Sequence, residues 1–156
     1  MIVAFGCDHA GFPLKRRLTE AIEENGDEVL DCGAYNLVPE DDYPDYARAV
    51  GAAILEGKAE RGILVCGSGV GVAVAASKIP GIRASMAHDT FSARQGVEDD
   101  DLNVLALGAR VIGPELAVEV VRAFLKAQFS GVQRHVRRSR KIDAIETEAR
   151  KGEFDQ

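Results

Sequence analysis

The chain reads as an α/β protein, a five-stranded parallel sheet covered on both faces by helices with a charged helical tail outside it. Three observations predict this. Short apolar runs alternate with segments whose apolar residues recur every three or four positions, the pattern of strands alternating with helices. The runs IVAFG and GILVC are apolar throughout, as buried strands are. At 156 residues and 16.7 kDa the chain suits one compact domain. A domain of that size buries roughly 70% of its unfolded surface and needs no disulfide or metal to hold it.

Residues 2–6, IVAFG, form the first strand, stopped at Gly6. Leu14, Leu18 and Ile22 recur every four residues and give a helix face that ends near Asn25-Gly26. Glu28–Leu30 is a second, shorter strand. The stretch GAYNLVPEDDYPDY is polar and turn-rich, and Asp42 and Pro44 within it suit a helix start. Ala47, Val50, Ala53, Ile54 and Leu55 supply that helix with its apolar face. Residues 62–66, GILVC, make the third strand, and Val70–Ile79 a helix. Ile82–Ala87 is the fourth strand, followed by a helix over Thr90–Val97, and Val104–Leu107 is the fifth strand. Pro114 starts a helix through Leu116, Val120, Val121, Phe124 and Leu125. The tail His135–Lys151 is charged and helical, with Ile142 and Ile145 as a sparse apolar stripe. No repeat or linker divides the chain, so residues 1–156 read as a single domain.

A net charge of −6 argues against general nucleic-acid binding but leaves room for a small-anion site, which local charge decides. No apolar stretch approaches the ~20 residues that span a bilayer, and the start lacks the basic and apolar regions of a signal peptide. Cys7, Cys32 and Cys66 are an odd number without metal-ligand spacing, which suits reduced thiols in the cytoplasm rather than a Cys7–Cys32 bridge.

In open parallel sheets, ligands sit beyond the carboxyl ends of the strands. That edge carries Asp8 and His9 after the first strand, Cys66 to Gly71 after the third, His88 after the fourth and Arg110 after the fifth. Glycines 67, 69 and 71 do not fit the dinucleotide pattern, because position 72 is valine, and no Gly-Lys-Ser/Thr of a P-loop follows. A glycine turn before a helix gathers backbone N–H groups and favours an anion or a developing oxyanion. It can also exist only because the chain reverses tightly. Cys66 just before the turn and Ser68 within it favour the functional reading. Free cysteine is usually a small buried hydrophobe, and Cys7 and Cys32 are read so. At a strand end facing a helix start, Cys66 is better read as a thiolate base or nucleophile.

Asp8 is read either as a helix cap or as a site residue, and His9 suits a hydrogen bond to a hydroxyl or phosphate. His88 is weighted toward structure, with Asp89 capping the next helix. The segment QRHVRRSRK, residues 133–141, is the one basic cluster. Arg134 and Arg138 share a helical face with His135 beside them, which suits phosphate as well as a merely solvated face. The acidic run Glu98–Asp101 lacks the spacing of a cation loop.

Together these residues resemble the ribose-5-phosphate isomerase type B family, which includes galactose-6-phosphate isomerase subunits. The resemblance rests on AFGCDHAG, DYP at 42–44, ILVCGSGVGVAVAASK, GIRA at 81–84, HDTFSA at 88–93, NVLALGARVIG at 103–113, and Arg134, His135 and Arg138 followed by IDAIE. It implies a Rossmann-like α/β/α sandwich, at least dimeric, with no metal or cofactor. It also implies an aldose–ketose isomerase of sugar phosphates working through a cis-enediolate. On that resemblance Cys66 is the base between C1 and C2. Amides of Gly67, Gly69, Val70 and Gly71 form the oxyanion hole, and Ser68 helps open the sugar ring. Asp8, His9 and Tyr43 contact sugar hydroxyls or the ring oxygen, and Arg110, Arg134, His135 and Arg138 hold phosphate, with Asn103 also in the site.

One departure stands out: the family's usual HND.N is DDDLN here, which puts Asp99 in a ring-opening histidine's place. A carboxyl group titrates well below an imidazole. So Asp99 works differently, His88 replaces it, or the substrate needs no ring opening. The helix after the fourth strand carries Asp99 and Asn103 ~15 Å back along the sheet. Residues 99, 103, 134 and 138 therefore reach a site only across a two-fold partner, in a homodimer or dimer of dimers. The expected reaction is D-ribose 5-phosphate to D-ribulose 5-phosphate. Allose 6-phosphate, galactose 6-phosphate and erythrulose 4-phosphate are alternative substrates, and a non-catalytic phosphosugar-binding module is an alternative class. The only partners expected are a small sugar phosphate and the chain itself, with neither nucleic acid nor membrane.

Overall fold

A computed structural model describes residues 1–154. The first half comprises β1 (Ile2–Cys7), α1 (Phe12–Glu24), β2 (Glu28–Asp31), α2 (Tyr43–Leu55), β3 (Arg61–Cys66) and α3 (Val70–Ala76). The second comprises β4 (Ala84–Met86), α4 (Thr90–Asp100), β5 (Val104–Gly108), α5 (Pro114–Lys126) and α6 (Gln133–Lys151). The five strands form one parallel sheet in the order β2-β1-β3-β5-β4.

Strand side chains alternate between two cores, as the pleat requires. Val3, Phe5, Cys7, Ile63, Val65, Leu105 and Leu107 pack with α1, α4 and α5, whereas Ala4, Leu64, Cys66, Val104 and Ala106 pack with α2 and α3. Cys66 therefore points to the α2/α3 side, and the sheet lies between two helical layers as expected. The chain moves from β1 outward to β2, then crosses back to β3 on the other side of β1. That reversal opens a crevice between the carboxyl ends of β1 and β3.

Several boundaries differ from the sequence reading. α3 stops at Ala76 rather than Ile79, where the Ser77 hydroxyl donates to the Ala73 carbonyl and the chain turns through Pro80 and Gly81. β4 is only three residues long because Ile82 still belongs to that turn and the strand pairs with β5 alone. α4 runs past Val97 to Asp100, supported by an Arg94–Glu98 ion pair one turn apart, and ends where Asp101 turns left-handed at φ 55°. The acidic run is thus a helix end.

α6 is fastened to its own chain by Arg83. Its guanidinium donates to the Asp100 carbonyl at 2.8 Å, to Ser139 Oγ at 2.6 Å and to the Asp143 carboxylate. A cavity of about 500 Å³ lies under α6, lined by Ile142, Ile145 and residues 80–84 among others, and no cysteine or histidine faces it. Cys7, Cys32 and Cys66 are free thiols, and burial pushes the Cys7 thiol up to about 11. Among the described residues, no helix is long and apolar enough to cross a membrane.

Candidate active site

An open cleft of about 370 Å³ sits at the carboxyl ends of β1 and β3. Asp8, His9, Tyr43, Cys66, Gly67, Ser68, Gly71 and Arg110 line it, so one place gathers eight of the residues expected from the sequence. Asp8 leaves β1 with its amide bonded to the Val65 carbonyl, which ties it to β3. Its Oδ1 accepts from the Ala10 and Gly11 amides, each at 2.9 Å, and the residue is 4% exposed. Asp8 thus ties down the turn before α1, whose own N-cap Gly11 carries no side-chain cap, and it also lines the cleft.

Cys66 ends β3 directly beside Gly108 of β5. The chain then folds back so that the Gly69 amide donates to Cys66 Sγ at 3.1 Å. Gly69 has φ +82°, where a side chain is strained, and Gly108 packs so tightly that a Cβ there would fall 2.5 Å from the Ser68 carbonyl carbon. The glycines let β5 and the turn share one surface. Ser68 Oγ accepts from the Val70 amide at 3.2 Å. Two of the expected oxyanion-hole amides are thus aimed at the sulfur and the serine. The other first-turn amides of α3 have no acceptor within the helix. Tyr43 opens α2 and lays its ring on this turn, where a Cβ at Gly71 would meet Cζ at 2.9 Å. Arg110 donates its amide to the Gly67 carbonyl at 3.0 Å, and its guanidinium reaches the same glycine.

Sequence reasoning missed Asp41. It accepts the His9 amide at 2.9 Å and His9 Nδ1 at 2.7 Å on Oδ1, and the Tyr46 hydroxyl at 2.7 Å on Oδ2. Burial alone would raise the Asp41 carboxyl, but these hydrogen bonds hold it below the usual carboxylate range. Nothing local marked it among the acids Glu40, Asp41 and Asp42, and its partner lies 32 positions away. Asp8, His9 and Asp41 place possible metal-ligand atoms within 4.8 Å of one another. However, His9 and Asp41 are bonded to each other and Asp8 to backbone amides.

The remaining candidates lie elsewhere in this protomer. His88 Nε2 accepts the Gly108 amide at 2.8 Å, and burial holds the ring below the usual histidine value. His88 therefore supports the strand behind the turn. Asp89 accepts from the Ser92 amide at 2.7 Å and caps α4. Asn103 lies before β5, a strand's length from Gly108, and its side chain bonds the Arg83 amide and Gly81 carbonyl. Asp99 sits 3.4 Å from the Nδ1 of buried His135, which also meets Ser130 Oγ at 2.7 Å. Arg134 and Arg138 are exposed on α6.

The cleft therefore combines a thiol, N–H donors, an imidazole and a guanidinium. Such a set can take a proton from carbon beside a carbonyl and hold the resulting oxyanion. Comparisons with known proteins agree in kind. The family described as ribose/galactose isomerase matches residues 3–142. Ribose-5-phosphate isomerase B of Escherichia coli is 46% identical over 144 residues, covering 92% of this chain and 95% of that protein. D-erythrulose-4-phosphate isomerase of Pectobacterium atrosepticum is 45% identical over 130 residues, 83% of this chain and 85% of that one. The solved structure of Clostridium thermocellum ribose-5-phosphate isomerase B has a TM-score of 0.91 at 42% identity, covering 96% of this chain and 99% of that one.

Proposed function

The chain belongs to the ribose/galactose isomerase family, and from that premise we propose that it interconverts D-ribose 5-phosphate and D-ribulose 5-phosphate through a cis-enediolate. The observation that carries this reading is the Cys66 sulfur, bonded by the Gly69 amide at 3.1 Å, in a cleft shared with His9, Tyr43 and Arg110. In the proposed reaction the Cys66 thiolate takes the proton from C2 of the open-chain aldose and returns it to C1. One base serves both carbons because they are adjacent. Amides of the Gly67–Gly71 turn hold the negative oxygen, a role worth roughly 3–4 kcal/mol per donor in acyl-transfer sites. General-base catalysis adds on the order of 10²–10⁴-fold. Asp8, Ser68 and Tyr43 contact sugar hydroxyls, and Arg110 meets the phosphate. The chemistry uses protein groups alone.

The phosphate site is completed by a second copy. The partner's Arg134 and Arg138, with the partner's His135, Asp99 and Asn103 near by, serve the Cys66 cleft across a two-fold axis. The separation of these residues from Cys66 within one protomer supports this. The free thiols suit the reducing cytoplasm as its compartment.

A four-carbon substrate is a second reading, favoured by the relative named D-erythrulose-4-phosphate isomerase and by Asp99, since such a sugar phosphate needs no ring opening. Isomerisation of four-, five- and six-carbon aldose phosphates in D2O, followed by deuterium at the carbon next to the carbonyl, tests both. Highest kcat/KM on ribose 5-phosphate is expected. Binding of every sugar phosphate without exchange on any would contradict the enzyme reading.

A further inference from the structure

We propose that Arg83 is a positioning residue that acts across the subunit boundary: it clamps α6 of its own chain in the rotation that presents Arg134 and Arg138 to the cleft of a second copy. The proposal rests on the shared-site reading above.

α6 is long but weakly held by packing. Of its 19 residues only His135 is buried, and Val136, Ser139 and Glu146 are half-buried. Residues 134–141 carry five arginine or lysine side chains and no acid, so like charges repel along this half of the helix. Polar contacts must therefore set its direction. His135 holds the first turn, meeting Ser130 Oγ at 2.7 Å. Arg83 holds the middle, with Nη1 donating to Ser139 Oγ at 2.6 Å and Nη2 to the Asp143 carboxylate. The Gly81 amide donates to the Glu146 carboxylate at 3.2 Å. Ser139, Asp143 and Glu146 share one helix face by their spacing, and Arg134 and Arg138 share another about a third of a turn away. Fixing the first face fixes where the exposed arginines point.

Arg83 is itself held stiffly. Asn103 Oδ1 accepts the Arg83 amide at 2.8 Å, and Asn103 Nδ2 donates to the Gly81 carbonyl at 3.0 Å. The Asn103 and Val104 amides donate to the Arg83 carbonyl, each at 3.1 Å. Nη1 also donates to the Asp100 carbonyl at 2.8 Å, at the end of α4. One rigid guanidinium fork thus joins α4 to α6, on a backbone tied to the start of β5. Arg83 has no place in the Cys66 cleft.

The phosphate of the substrate keeps its charge while the enediolate forms, so contacts to it bind ground state and transition state alike. Loosening α6 should therefore raise KM and spare kcat. In the full chain, Arg83→Ala is expected to raise KM for ribose 5-phosphate about tenfold or more, with kcat within about threefold. The inhibition constant of inorganic phosphate should rise in step. Asp143→Ala releases the same clamp from the exposed helix side, and carries the test should Arg83→Ala melt early. The double variant should be no worse than either single one.

Mixed dimers separate action within a protomer from action across the boundary. Arg83→Ala and Cys66→Ala chains are unfolded together, refolded at equal ratio and assayed well below the raised KM. In a mixed dimer the intact Cys66 faces an α6 whose own Arg83 is present. About a quarter of the unsubstituted activity should return, because half the dimers are mixed and each has one complete site. A fall in kcat at unchanged KM, or no recovery with mixed dimers shown by mass spectrometry, would overturn the positioning role. An unsubstituted protein that binds inorganic phosphate but turns over no aldose phosphate would overturn the isomerase reading instead. The Arg83 effect would then be read as phosphate affinity by calorimetry, and unchanged affinity in Arg83→Ala would overturn it too.

Discussion

The Gly69 amide donates to the Cys66 sulfur at 3.1 Å across a turn of three residues. The bond exists because Gly69 adopts φ +82° and because β5 passes close behind, so that a Cβ at 69 would lie 2.9 Å from the Leu107 carbonyl carbon. Gly69→Ala should therefore lower the melting temperature, a left-handed alanine costing about 1–2 kcal/mol. It should also cut kcat at least about tenfold by moving the donor from the reacting centre. Paired melting curves and steady-state kinetics check both effects.

Complementation tests the proposal that two subunits share each site. Cys66→Ala and Arg138→Ala proteins should each be inactive or nearly so. Unfolded together and refolded at equal ratio, they should recover about a quarter of full activity, because half the dimers are mixed and each mixed dimer has one intact site. No recovery, with mixed dimers shown by mass spectrometry, would place Arg138 outside the partner's cleft.

His88 gives a pH signature. Burial disfavours its charged form and lowers its native pKa, against a smaller upward pull from Asp89. The unfolded chain thus binds this proton more readily. Its contribution to stability is full above about pH 6.5 and is lost as pH falls through the lower native value. The melting temperature should fall over that window, and His88→Gln, which can still accept the Gly108 amide, should flatten that part of the curve.

Arg61 separates stability from chemistry. At the far end of β3 from Cys66, its guanidinium donates to the Phe124, Leu125 and Ala127 carbonyls and so closes the carboxyl end of α5. Arg61→Met should cost about 2–3 kcal/mol by denaturant unfolding, since hydrogen bonds to charged groups carry about 1.5–3 kcal/mol and the carbonyls would be left unpaired. Activity at low temperature should be retained.

Much of this was legible in the chain. Buried strands announce themselves by apolar runs, and Asp8, Cys66 and Arg110 were recognisable because each lies at or just past the carboxyl end of a strand. The order of strands was not, since β5 inserts between β3 and β4 through contacts no local pattern encodes. For the same reason Asp41 escaped notice: its meaning depends on His9 and Tyr46 meeting it in space. Lengths failed where the ends are set by tertiary contacts, as at Ala76, where Ser77 turns the chain, and at Asp100, where an ion pair prolongs the helix.

The central claim is that Cys66 moves the substrate proton. Its most direct test is deuterium incorporation into ribulose 5-phosphate at C1 in D2O, comparing the unsubstituted protein with Cys66→Ala. The account predicts rapid exchange in the first and at least about a 10²-fold loss in the second, with sugar-phosphate binding preserved. Exchange by Cys66→Ala at the unsubstituted rate would contradict it.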